Sequence, residues 1–165
     1  MSTNPASSSG SVRLVTFRLG DDLFAAPIEA VERVLRYQSP RAVPNLPPWI
    51  GGVIEYGERI VPVIDLRRRF EMPSVPSTPQ MRLLVLTTGG EWAAVLVDAV
   101  LDVRTVQAAD LVPPPPLFRG LSAEYLRGVI RRDEQLVIVL ESDRLLAASE
   151  RLVLVSAVDV NEYTV

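Results

Sequence analysis

The chain contains neither cysteine nor histidine. It therefore lacks the thiolate and imidazole ligands of most zinc sites, the thiol nucleophile and the commonest general base. Disulfides are excluded, which is compatible with a reducing compartment. An enzyme of this composition would depend on carboxylates, serine or tyrosine. We therefore predict no catalytic, metal or cofactor site.

Aromatic residues, excess charge and long apolar runs are also scarce. Only 6% of the residues are aromatic, which argues against a ring-lined groove for proline-rich ligands. The net charge of -3 gives no general attraction to nucleic acid or to anionic membranes. Asp98 and Asp102 interrupt the longest apolar run before it could span a bilayer. Because residues 1–11 are small and polar, we predict a disordered tail without a signal peptide, and a cytoplasmic protein with no direct membrane insertion.

What the chain does contain is a clear strand–cap–helix pattern near its middle. The run Ile60–Ile64 is apolar and rich in β-branched residues, which predicts a strand after the polar turn Glu55–Arg59. Asp65 follows as the predicted N-cap of a helical turn, Leu66–Phe70. Since Pro62 has no N–H group, this strand is predicted to lie at a sheet edge or to carry a bulge.

Other strands are predicted from short apolar runs that are bounded by glycine or proline. A segment from 29 to 36 has helix-like spacing but is too short to exclude a strand. The predicted strands are Arg13–Leu19, Leu23–Ile28, Trp49–Ile54, Arg82–Thr88 and Trp92–Val97.

The order of elements occurs twice. At an offset of 69 residues, Gly20 matches Gly89 and Val31 matches Val100, and beyond the run Pro113–Pro116 the offset becomes 76. There Trp49 falls on Tyr125, and the triplet Gly52-Val53-Ile54 falls on Gly128-Val129-Ile130. The helical turn after Asp65 has its counterpart in Ser142–Ala148, where Ser142 is the predicted N-cap. Shared glycine turns favour an internal duplication over chance similarity between apolar strands.

Each half has four or five short strands and no long helix, which predicts a mainly β protein of two small antiparallel barrels packed together. The halves are approximately 12–72 and 81–148, with exchange of end strands allowed. A connector with Pro73, Pro76 and Pro79 divides them. The C-terminal extension, 149–165, has no counterpart in the first half.

Three groups of side chains invite a functional interpretation. Asp65 and Asp98 could form an acid–base pair, but capping of helical turns, as at Glu29, is the favoured explanation. The run Arg67–Arg69 could bind phosphate, although a solvated helix face is favoured. Pro113–Pro116 contains a PxxP pattern, and a rigid connector is favoured there over an SH3 ligand.

Five apolar residues at repeated positions could line a groove between the barrels, or could simply belong to the inter-barrel core. Both interpretations stay open. The residues are Val31, Val34, Leu35, Val100 and Val103.

Three stretches resemble the signatures of CheW-like coupling proteins of bacterial chemosensory arrays: Gly51–Arg67, with its I-V-P-V-I-D-L-R run, Val95–Val103 and Arg119–Val129. The resemblance implies two SH3-like five-stranded barrels with short helices, forming a single domain over 12–148. It also implies a non-catalytic adaptor. In that family the adaptor joins the cytoplasmic tip of a chemoreceptor to the regulatory domain of a CheA-type histidine kinase, which has the same double-barrel fold.

Two departures from the family pattern concern charge. Where the family usually has the turn Asn-Leu-Arg-Gly, this chain has Glu55-Tyr56-Gly57-Glu58, and where it tends to have glutamate, this chain has Arg33. The resemblance places these positions on the partner surface and points to partners of an accessory pathway. The alternatives are a stand-alone peptide-binding SH3-like module and an enzyme that uses Asp65 or Asp98. The predicted partner-binding residues are Val31, Arg33, Val34, Glu55, Tyr56, Gly57, Glu58, Val100 and Val103.

Overall fold

A computed structural model describes residues 10–114 and 125–146. Most of the predicted tail, the second half of the proline run and the C-terminal extension lie outside the described residues. The ten strands are β1 Ser11–Leu19, β2 Asp22–Pro27, β3 Val31–Arg36, β4 Ile50–Tyr56, β5 Arg59–Asp65, β6 Arg82–Thr88, β7 Glu91–Val97, β8 Ala99–Gln107, β9 Leu126–Arg132 and β10 Gln135–Leu140. A short helix, α1, covers Leu66–Arg69, and 3-10 turns cover Ile28–Ala30, Ala108–Asp110 and Ser142–Arg144.

The strands form two five-stranded sheets, as the predicted fold class requires. The first sheet has the order β8-β1-β2-β10-β9 and the second has the order β3-β6-β7-β5-β4. All pairings are antiparallel except β2 with β10 and β5 with β7. Each strand of one sheet occupies the same place as its repeat counterpart in the other sheet. The two halves exchange strands. The first half gives β1 and β2 to the sheet of β8, β9 and β10, and the second half gives β6 and β7 to the sheet of β3, β4 and β5.

In each sheet, a residue that follows one edge strand forms an isolated β-bridge with the opposite edge strand. Arg41 pairs with Val53 in β4, and Val112 pairs with Val129 in β9. At both bridges a glycine precedes the bridged valine. A Cβ at Gly52 would overlap the carbonyl oxygen of Arg41, and one at Gly128 would overlap that of Val112. The backbone therefore approaches closely at both glycines.

Apolar side chains form three cores. The largest lies between the sheets and contains Phe17, Leu84 and Leu140, while the other two are each formed by one sheet. The first-sheet core includes Leu14 and Val139. The second-sheet core includes Ile54, Val61, Val63, Leu83, Val85 and Ala94.

The structure decides two predictions of local structure. The segment that was open between helix and strand forms β3 after a 3-10 turn. Of the two alternatives for the strand with Pro62, the edge position is wrong, because β5 lies between β7 and β4. The pairing of β4 with β5 does have a bulge, which lies on β4 between Ile50 and Gly52. Proline is tolerated in β5 because the pairing of β5 with β7 begins one residue later, at Val63, and Val53 opposite Pro62 bonds to Arg41 instead.

In the described part of the chain, no helix is long and apolar enough to cross a membrane.

Candidate functional site

Two arginines and two aromatic rings meet at one end of the second sheet. The guanidinium carbon of Arg33 lies 6.0 Å from the ring centroid of Tyr56. The Tyr56 ring is 5.3 Å from that of Trp92, and the two rings are tilted by 55°. The guanidinium of Arg59 then lies 4.2 Å from the Trp92 ring. We call Arg33, Tyr56, Arg59 and Trp92 the arginine–aromatic cluster.

The sheet order brings these side chains together. Arg33 is on β3 and Tyr56 ends β4, and these strands are the two edges of the second sheet. Their contact therefore shows that the sheet curls until its edges approach. Tyr56 pairs directly with Arg59 across the β4–β5 hairpin, and both rings pack on the second-sheet core. The core consequently fixes the positions of both rings, while Arg33 and Arg59 are exposed.

The β4–β5 turn lies beside the cluster and carries the remaining altered residues. Gly57 has a φ of 63°, and a Cβ there would meet nothing within 4 Å. Glu55 and Glu58 are exposed. Glu55 makes only a long ion pair of 4.0 Å with Arg41, whose side chain is equally exposed. The turn therefore presents two carboxylates to solvent next to the arginines.

Of the predicted partner residues, the structure brings Arg33 into contact with Tyr56. Sequence reasoning missed Arg59 and Trp92. The two-residue turn at Gly57-Glu58 was a usable signal for Arg59, because it makes Tyr56 and Arg59 cross-strand neighbours. Trp92 could not be found in that way, because its place depends on the pairing of β7 between β6 and β5.

The structure divides the five repeated apolar residues. Val31 and Val100 pack partly buried against the core between the sheets, and Leu35 packs on the second-sheet core. In contrast, Val34 is 42% exposed and Val103 is 48% exposed. The core interpretation therefore holds for Val31 and Val100, whereas a groove that includes Val34 and Val103 stays a prediction.

In the first sheet, Asp102 occupies the position that corresponds to Arg33. The hydroxyl of the fully buried Thr16 donates to its carboxylate, and the Arg104 Nε donates at 3.3 Å. The hydrogen bond from Thr16 lowers the pKa of Asp102 below its ordinary range, with a smaller contribution from the charge of Arg104. The two sheets thus present opposite charges at equivalent places.

The Asp102 contact predicts a pH-dependent contribution to stability. Because the pKa is lower in the folded chain, the carboxylate stabilises the fold above the unfolded pKa of about 4, and this stability is lost as the pH falls through the folded value. Asp102→Asn should therefore be less stable than the parent at pH 7, and the difference should shrink below about pH 4. Urea unfolding at pH 7, 4 and 3 measures it. A difference that is constant across this range would contradict the assignment.

Both aspartates of the possible acid–base pair already have hydrogen-bond partners in the fold. Asp65 caps α1 by accepting from the backbone N–H groups of Arg67 and Arg68, which confirms the predicted N-cap. Asp98 accepts from the Gly20 N–H at 2.7 Å and forms an ion pair with Arg67 in which each side chain is only 11% exposed. The capping role predicted for Asp98 is wrong, because β8 and not a helical turn follows it.

Two more capping predictions are wrong. Glu29 lies inside the 3-10 turn Ile28–Ala30, whose N-cap position is held by Pro27. Ser142 is the first residue of its own turn and is buried, and Glu141 precedes it without a side-chain cap.

The solvated face predicted for Arg67–Arg69 holds for Arg68 and is wrong for the other two arginines. Arg69 is buried, with its guanidinium carbon 3.7 Å from the Trp49 ring centroid and 4.2 Å from that of Tyr125. Its Nη2 donates to the carbonyl oxygen of Leu145 at 3.2 Å. Trp49 and Tyr125 are repeat counterparts, so one arginine stacks between equivalent rings of both halves. Arg69 therefore joins the halves and is not available as a phosphate ligand.

We expect Arg69→Lys to lower the free energy of unfolding by about 1–2 kcal/mol, because an ammonium group cannot stack on both rings and still reach the Leu145 carbonyl. Arg68→Lys, one residue away and more than half exposed, is the matched control and should change stability by less than about 0.5 kcal/mol. Equal effects of the two substitutions in chemical denaturation would show that the stacking contributes nothing.

A polar cleft of about 240 Å³ lies between α1 and the connector. Asp65, Arg67, Arg68 and Asp98 line it. Because these charges pair with one another, the cleft offers no surplus charge to an ionic ligand.

Comparison with known proteins gives consistent results. Residues 13–150 match the family model described as a CheW-like domain. Protein FrzA of Myxococcus xanthus is 34% identical over 137 residues, covering 82% of this chain and 85% of the relative. The chemotaxis protein CheW of Klebsiella aerogenes is 32% identical over 134 residues, 81% of each chain. Among solved structures, the scaffolding protein TtCheW of Thermoanaerobacter tengcongensis matches with a TM-score of 0.77 and 27% identity, over 84% of this chain and 90% of that one.

Proposed function

The chain belongs to the CheW-like family, and we propose on this premise that it is a scaffold that couples a chemoreceptor-like sensor to a CheA-type histidine kinase. It is a chemotaxis coupling adaptor, as its relatives among chemotaxis proteins and its similarity to a scaffolding protein indicate. The single observation that carries the proposal is the match along nearly the whole described chain, in sequence and in fold. The proposed partners are the kinase regulatory domain and the cytoplasmic tip of the receptor, which places the chain at a receptor array in the cytoplasm.

We propose two surfaces for these partners. The first is the arginine–aromatic cluster with the adjoining residues Glu55, Gly57 and Glu58, which are exposed and carry the departures from the family pattern. The second is the rim of the core between the sheets, where Val31 and Val100 are partly buried and Val34 and Val103 are exposed. A helical receptor tip could bury an apolar stripe there.

The alternatives receive less support from the geometry. An enzyme would need a free carboxylate, whereas the oxygens of Asp65 and Asp98 accept hydrogen bonds or pair with arginines. A groove for proline-rich peptides would need open ring faces. At the exposed end of the second sheet, Arg33 and Arg59 lie over the rings of Tyr56 and Trp92.

The test is pairwise binding by titration calorimetry. The full chain is titrated with the regulatory domain of the CheA-type kinase from the same genome, and separately with the cytoplasmic fragment of the receptor encoded nearest to that kinase. We expect saturable binding to each. Binding to neither would overturn the proposed function.

Restoring the family-like charges should weaken binding to the cognate kinase domain. In the combined variant Arg33→Glu, Glu55→Asn, Gly57→Arg, the charge pattern that faces the partner is reversed, and like charges across an interface are unfavourable. A single rim pair contributes only about 0.2–1 kcal/mol, so the combined variant is the informative one. Calorimetry at low and high salt measures the change. If affinity and salt dependence both match the parent, these side chains do not face the partner.

A further inference from the structure

We infer that the arginine–aromatic cluster is a docking site for carboxylates on the regulatory domain of the kinase, with Arg33 and Arg59 as the two charge contacts. This inference rests on the proposed function and specifies the chemistry of the partner. Both guanidiniums are exposed, and within residues 10–114 and 125–146 neither forms an ion pair. Other arginines of the same region do have carboxylate partners, among them Arg67, Arg104 and Arg127.

The rings contact the two arginines in the absence of a partner, Arg59 at 4.2 Å and Arg33 at the longer distance of 6.0 Å. Each guanidinium lies over a ring that itself packs on the second-sheet core. An arginine that is already ordered loses less conformational entropy on binding, and its planar fork matches a carboxylate in two-point geometry. Ordered aromatic and arginine side chains are also the residue types that contribute most at protein interfaces. The cluster is therefore organised for an anionic group.

The fold itself does not require this cluster. In the first sheet the repeat counterparts of Arg33, Arg59 and Trp92 are Asp102, Gln135 and Leu23. That sheet has the same strand order without an equivalent cluster of these side chains. The cluster is thus specific to one end of the molecule, as expected for a binding surface and not for a structural element common to both repeats.

The surroundings favour discrete carboxylates over a polyanion. Glu58 in the β4–β5 turn, Glu55 near the end of β4 and Glu91 at the start of β7 are exposed beside the cluster, and the chain has a net charge of -3. A nucleic acid backbone would be repelled by these acids, because it carries a charge at every nucleotide. An acidic turn of a folded domain can place single carboxylates on Arg33 and Arg59 and avoid the glutamates. A helical receptor tip is better suited to the apolar rim at Val34 and Val103.

The test compares three double variants of the full chain with the parent, using the kinase regulatory domain as the probe. We expect Arg33→Glu with Arg59→Glu to weaken binding at least about tenfold and to reduce its salt dependence, since two attractive contacts become repulsive. Arg33→Lys with Arg59→Lys keeps the charge but loses the ring stacking, and should weaken binding by about threefold. Arg13→Glu with Arg131→Glu changes the net charge equally at exposed positions of the first sheet, and its affinity should stay within about twofold of the parent.

The outcomes separate this inference from the proposed function. If the parent binds neither kinase domain nor receptor fragment, the proposed function fails. If the parent binds the kinase domain and the double glutamate variant binds it equally well, only the docking inference fails. The docking inference is also overturned if the double glutamate variant still binds the kinase domain and has lost only its binding to the receptor fragment. It is overturned as well if binding of a thymidine oligonucleotide to the parent depends on these arginines while binding of the kinase domain does not. Because the lysine variant retains charge and fold, it decides the case if the glutamate variant does not fold.

Discussion

We expect Asp98→Asn to lower the free energy of unfolding by about 3 kcal/mol, because the substitution leaves the largely buried guanidinium of Arg67 without its counter-ion. The ion pair Arg67–Asp98 is only 11% exposed on each side, and the same carboxylate oxygen also accepts the Gly20 N–H. These contacts join α1, the β1–β2 turn and the start of β8. Urea unfolding at neutral pH measures the loss.

Asp65→Asn is the matched control, since Asp65 carries the same functional group in the same cleft but caps a four-residue helix and pairs with the exposed Arg68. It should cost about 1 kcal/mol. An Asp98→Asn variant as stable as the parent would show that the ion pair adds nothing to the fold. Since we assign structural roles to both carboxylates, we expect these substitutions to change stability and no catalytic rate.

The second large effect is expected at the two bridge glycines. Gly52→Val should destabilise the fold by about 2–4 kcal/mol, because the new side chain meets the Arg41 backbone and the position also requires a strained φ. That φ is 138°. Gly128→Val should cost about 1–3 kcal/mol, since it meets the Val112 carbonyl and the Leu111 side chain.

Gly51→Ala tests whether the effect is specific to the bridges. At Gly51 the nearest atom to an added Cβ is 3.9 Å away, so stability should change by less than about 1 kcal/mol. Thermal melts that place Gly128→Val within error of the parent would show that the matched glycines are a coincidence of sequence.

The repeat in the sequence explains why the fold could be predicted to this extent. Matched glycines, the matched Trp49 and Tyr125, and the strand periodicity are local signals, and they predicted two equivalent β units. They could not show that each half gives its first two strands to the other sheet. That exchange depends on the parallel contacts of β2 with β10 and of β5 with β7, which leave no local pattern.

The candidate site was predictable only where residues are neighbours along a strand or across a short turn. Arg33 and the turn at Gly57 stood out by their charges, but their contact needs the two edges of the second sheet to approach. The buried arginines illustrate the same limit. Three consecutive arginines usually indicate a solvated surface. Arg69 is nevertheless buried between Trp49 and Tyr125, and the side chain of Arg67, paired with Asp98, is only 11% exposed.

The coupling role itself is tested most directly by sedimentation of a three-component mixture. The kinase regulatory domain and the receptor fragment are each followed by a separate fluorescent label, with and without the full chain. We predict that the two labels sediment together only when the chain is present, and that the combined Arg33→Glu, Arg59→Glu variant fails to bring them together. Labels that never move together, although all three proteins are folded, would contradict the account.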